Sequence, residues 1–164
     1  MKIHTYVSSA AICAVIFIHG CSAKEKEVKM PSTNMNELTA TVEMDIPGRN
    51  GRFEIFETPE TGETVPGPAF AVSMVAEFDA ASHADKASSD PSASPVWVAP
   101  NASRTWLSTS FRTLLEKYAN KEFPADVPNC APFSATLKKS RNIVHGFQCF
   151  NAGKLLVYLP IWTE

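Results

Sequence analysis

The sequence predicts an α+β fold, an antiparallel sheet of about six strands in the order β-β-β-α-β-β-β packed against one amphipathic helix. Two observations carry this. Short runs in which apolar and polar residues alternate recur along the chain, separated by clusters of glycine, proline and asparagine. One longer stretch instead spaces its apolar residues for a helical face. No repeat is visible in the 164 residues, and the length suits one domain, assigned to residues 38–164.

The first strand is predicted where Ala40, Val42, Met44 and Ile46 alternate with Thr41, Glu43 and Asp45. Pro47 to Gly51 is dense in turn formers and Arg52 to Glu57 resumes as a strand, so the pair reads as a hairpin. Thr58 to Pro68 is a loop rich in proline and glycine. Ala69 to Phe78 is apolar on nearly both faces, the mark of a strand in the middle of a covered sheet. Asp79 to Pro95 is small and polar, the least structured internal stretch, and Val96-Trp97-Val98 forms a short strand after it.

Leu107, Phe111, Leu114, Leu115 and Tyr118 make the helical stripe. Ser103 or Asn101 caps its start, and Pro124 blocks it beyond Phe123. The rest reads as a meander. Phe133, Ala135 and Leu137 alternate with polar residues, Ser140-Arg141-Asn142 turns, and Ile143 to Phe150 runs back. Asn151-Ala152-Gly153 turns again into a last strand, Lys154 to Ile161, where Pro160 points to an end or an edge.

The first twenty-one residues speak of location. Lys2 gives a positive start, Tyr6 to Ile18 an apolar core too short for an ordinary spanning helix, and Gly20 places a small residue before Cys21. This resembles the signal peptide of a bacterial lipoprotein. The resemblance implies that residues 1–20 are removed and Cys21 is acylated. Ser22 after it, rather than aspartate, implies the outer membrane, facing the periplasm. Residues 21–37 are charged and polar, and read as an acylated cysteine on a flexible tether. With Cys13 lost and Cys21 acylated, Cys130 and Cys149 remain, and in an oxidising compartment such a pair is expected to form a disulfide.

The charge, 15 basic against 17 acidic residues, gives no nucleic-acid-binding footprint. Catalytic constellations are weak throughout. Cys149 and His145 on one strand stand roughly 13 Å apart, too far for a thiol–imidazole pair. His83, Asp79, Asp85 and Asp90 lack the ligand spacing of a metal loop. Glu43, Asp45, Glu54 and Glu57 offer carboxylates, but in the pattern of a solvated strand face. Serine elbows and phosphate loops are missing.

The sequence therefore points to a non-catalytic, lipid-anchored periplasmic protein that needs no cofactor or metal and binds a protein partner. It would serve as an accessory subunit of an envelope complex, or as an inhibitor or immunity protein against an effector. Tyr158 and Trp162, near the end of an apolar strand, are the candidate partner-binding residues if one face is uncovered. A small envelope hydrolase and a lipid- or small-ligand-binding lipoprotein are the alternatives.

Overall fold

The computed structural model describes residues 30–45, 48–58, 71–80 and 95–162. The expectations for the leader and Cys21, and for most of the loops 58–68 and 79–95, lie outside these residues. The elements are α1 (Met35–Thr41), β1 (Val42–Glu43), β2 (Gly48–Thr58), β3 (Ala71–Ala80), β4 (Val96–Trp97), α2 (Thr109–Tyr118), β5 (Glu122–Phe123), β6 (Cys130–Leu137), β7 (Ile143–Asn151) and β8 (Lys154–Trp162). Six strands form one antiparallel sheet in the order β1-β6-β7-β8-β3-β2, and β4 pairs with β5 in a separate ribbon. The class is α+β, mostly antiparallel sheet with two helices among the described residues.

The strands bury both faces. On one side Phe53, Met74, Phe78, Phe133, Val144, Val157 and Leu159 gather with Leu38 of α1. On the other, Val75, Phe147, Leu156 and Tyr158 gather with Phe111 and Leu115 of α2 and with Val98, Ala102 and Leu107 of the segment before it. Two covered faces explain why β3 and β8 are apolar at nearly every position. As expected, β3 is central, between β8 and β2.

Three sequence expectations are corrected. Of the predicted first strand, Ala40 and Thr41 instead end a helix, α1, and only Val42 and Glu43 are strand. The Asn34 side chain accepts the Asn36 N–H at the start of α1, and the hydroxyls of Thr39 and Thr41 bond back to the Met35 and Glu37 carbonyls. Alternation survives only in β1, which pairs with β6, so the expected first hairpin does not form. Ser32 also exchanges two backbone hydrogen bonds with Phe53, 2.8 and 2.9 Å, so pairing begins within the stretch assigned to the tether.

The second correction concerns α2, which begins at Thr109 with Ser108, not Ser103 or Asn101, at its N-cap, and stops at Tyr118 rather than running towards Phe123. Asn120 adopts a left-handed conformation, φ 58°; its N–H donates to the Val98 carbonyl and the Val98 N–H to the Lys121 carbonyl, each at 3.0 Å, which leads the chain into β5. Pro124 therefore follows a strand, not a helix.

The third concerns β8, which is central rather than terminal in the sheet. Its pairing with β7 ends at Phe147↔Tyr158, while its pairing with β3 continues to Ala71↔Trp162. Pro160 lies past the last β7 partner, so its missing N–H interrupts no bond on that side. The two strands part at Gly146, where an added Cβ would fall 1.9 Å from the Tyr158 carbonyl oxygen. Only glycine fits that approach.

Candidate binding surface

Tyr158, expected to touch a partner, is fully buried. An aromatic ring near the end of a central strand has sheet on both sides and α2 above it, which leaves no open face. Its ring stacks near Phe147, with centroids 5.2 Å apart, and its hydroxyl accepts the Ala99 N–H at 2.8 Å. The same hydroxyl donates to the Trp97 carbonyl at 3.3 Å and shares a bond with Ser73. Burial raises the Tyr158 pKa above its ordinary value, against the lowering effect of the Ser73 and Ala99 bonds.

The residue that Tyr158 holds is the exposed one. Trp97 stands 45 % exposed on the β4–β5 ribbon, opposite Glu122. Its neighbours anchor the ribbon: Val98 is buried, and Phe123 lies flat on Phe147 with centroids 3.7 Å apart. A large indole is thus presented on a braced two-stranded support. Trp162 ends β8 with its backbone opposite Ala71, and its side chain lies outside the described residues.

The segment leading into α2 is held by a buried polar network that the sequence did not announce. Glu77 is 2 % exposed, pairs with Arg52 at 2.8 Å and accepts the Ser108 N–H at 2.7 Å. Glu54, expected on a solvated face, is buried instead, pairing with Arg104 at 3.3 Å and accepting the Trp106 indole N–H at 3.0 Å. The Arg104 guanidinium lies 4.2 Å from the centre of the Phe56 ring. Each of the four carboxylate oxygens has a partner, so the network works as a clamp on residues 104–108. The available signal was Glu77 itself, a single acid within an apolar run, which can only be buried with a partner.

α2 and its approach cover the β7-β8-β3-β2 side of this face and leave the β1–β6 flank open. An open groove of about 250 Å³ there is lined by Glu43, Met44, Asp45, Ser134, Ala135, Thr136 and Ile143. Beside it Ser134 and His145, cross-strand partners, share a 2.9 Å hydrogen bond. Sequence alone could not pair them, because their meeting depends on the β6–β7 register. Glu43 and Asp45 are exposed, and Glu43 meets Arg141 at 3.5 Å.

Cys130 and Cys149 form the expected disulfide, with Cα atoms 4.0 Å apart. They are direct partners in the β6–β7 register, at a position where the two residues exchange no backbone bond: the Cys130 N–H goes to Val127 and the Phe150 N–H to Asn129. The bridge leaves Cys149 no thiol for His145 to activate.

Asp79 sits near the end of β3, where the Lys154 bond and charge, with Asn50, hold its pKa below the ordinary carboxylate value. Its expected neighbours His83, Asp85 and Asp90 lie outside the described residues. The Glu57 carbonyl accepts from the Asn101 side chain. Among the described residues no three His, Cys, Asp or Glu side chains are placed to hold a metal, and no helix is long and apolar enough to cross a membrane. No family model, curated protein or solved structure matches this chain.

Proposed function

We propose that this protein is an exported lipoprotein, acylated at Cys21 and held on the outer membrane facing the periplasm, whose domain has a non-catalytic role in binding another protein. The partner is a subunit of an envelope complex, or an effector that the domain inhibits. The observation that carries the binding reading is Trp97: a large aromatic, half exposed, on a ribbon fixed from below by Tyr158 and Phe147. Rigid aromatic side chains give much contact area for little lost freedom, which is why a few of them dominate interfaces. The Cys130–Cys149 bridge supports the compartment, since disulfides persist where export has taken the chain out of reducing conditions.

Affinity capture from membranes, with the anchor intact, tests the reading. Wild-type protein is expected to retain one envelope protein in stoichiometric amount, and Trp97→Ala to lose it while melting at an unchanged temperature. A variant that keeps its partner would remove Trp97 from the interface. Failure of the wild type to retain any protein stoichiometrically would remove the binding role.

A further inference from the structure

The geometry points to a second contact surface: we infer that the β6–β7 turn rests against an anionic phospholipid bilayer. This goes beyond partner binding and rests on the acylation of Cys21. Lys138, Lys139 and Arg141 fall within the five residues joining β6 to β7, and every residue from Lys138 to Ile143 is exposed. Ile143, at the foot of the turn, is 64 % exposed.

The turn is built to hold these groups in place. Arg141 takes a left-handed conformation, φ 62°, and its N–H donates to the Leu137 carbonyl at 2.8 Å. The Lys138 N–H donates to Thr41, and Asn142 N–H to the Ser140 hydroxyl. Glu43 is the carboxylate that meets Arg141, at 3.5 Å between two exposed side chains, a contact that water and salt weaken. Two lysines, an arginine and an isoleucine at one corner match a surface that is anionic outside and apolar beneath.

The path of the chain brings that corner to the bilayer. Ser32 runs antiparallel to β2 across Phe53, so tracing back from Ser32 to Met30 follows β2 towards Thr58. Thr58 pairs with Ala71 and Ala71 with Trp162, at the same end of the sheet at which β6 finishes and β7 begins. Met30, the first described residue, therefore lies towards the end that bears the basic turn. Eight residues lie between Met30 and Cys21, a reach of about 30 Å for nine fully extended steps. Acyl chains on Cys21 would keep this end within that reach of the headgroups, so the turn can come within the roughly 10 Å over which its three cations feel an anionic surface.

Hydrogen exchange on the full acylated protein tests this. The protein is reconstituted in vesicles of phosphatidylethanolamine with a minority of phosphatidylglycerol, and separately in vesicles of phosphatidylethanolamine and phosphatidylcholine without net charge. Amides of residues 138–143 are expected to exchange severalfold more slowly on the anionic vesicles. The difference should vanish in about 1 M salt, where the screening length is near 3 Å. It should also vanish in the triple variant Lys138→Gln, Lys139→Gln, Arg141→Gln, with exchange in β8 unchanged as the check on folding. Equal exchange on both vesicles, in protein that floats with both, would overturn the inference and leave the anchor standing. Protein that floats with neither would instead overturn the anchor, and the inference with it.

Discussion

At the scale of the residue, the most informative position is Tyr158, because it exchanges one role for another. Read along the sequence it is an aromatic near the end of an apolar strand, and a contact residue if exposed. In the fold it is a buried post whose hydroxyl carries the Ala99 N–H and the Trp97 carbonyl. Removing that hydroxyl leaves a buried N–H without its acceptor, and such a group costs about 1–3 kcal/mol. Tyr158→Phe is therefore expected to lower stability by about that amount in urea or thermal unfolding. It should also weaken partner capture through Trp97 without touching the interface. A variant as stable as the wild type would mean that another group takes up the Ala99 N–H.

At the scale of the element, the disulfide and the helices show what the sequence could and could not reveal. The bridge was legible because the expected leader and its acylation set Cys13 and Cys21 aside, leaving one pair. It joins neighbouring strands across a separation of 19 residues. Chain-entropy reasoning gives a stabilisation of about 3 kcal/mol for a loop of that size. Reduction, or replacement of both cysteines by alanine, is expected to lower the melting temperature by several degrees. An unchanged melting temperature on full reduction would show that the β6–β7 ladder alone fixes the register.

The strands β3, β6, β7 and β8, the Arg52–Glu57 part of β2 and the stripe from Phe111 to Tyr118 of α2 were readable because the period is clear there, whereas the turn formers Gly48 to Gly51 instead begin β2 and Leu107 precedes α2. α1 was not. Its seven residues bury Leu38 alone, and the helix owes its place to the Asn34 cap and to packing by a sheet built from residues far along the chain. The same limit hid the Glu54–Arg104 and Glu77–Arg52 clamps and the Ser134–His145 pair, each of which requires a register or a loop position. Trp97 was visible as a residue, but its exposure follows from which side of the ribbon packs on Phe147.

At the scale of the whole molecule, one sheet is covered on one face by α2 and its approach, while α1 packs on the other, and Met30, the first described residue, lies towards the end that carries the basic turn. If Cys21 bears the anchor, Cys21→Ser should release the protein into the soluble periplasmic fraction or leave a precursor of higher mass. Two or three acyl chains bind a bilayer firmly where one is marginal, so the shift between fractions should be nearly complete. Membrane retention of the variant at the mature mass would rule out acylation at this cysteine.

The position of β8 governs when the molecule can become itself. β3 has β2 on one side from the outset, but its other side waits for residues 154–162, so that residue 71 meets residue 162. Contacts between such distant parts of a chain make folding slow, since a large loop must close before they are gained. Until β8 arrives, the β2–β3 hairpin exposes the very edge that β8 will occupy, and the β6–β7 pair exposes another. A folding chain thus passes through an interval with two unpaired edges, a state in which β proteins are prone to join one another. Refolding should accordingly be limited by the docking of the C-terminal strand, and its yield should fall as protein concentration rises.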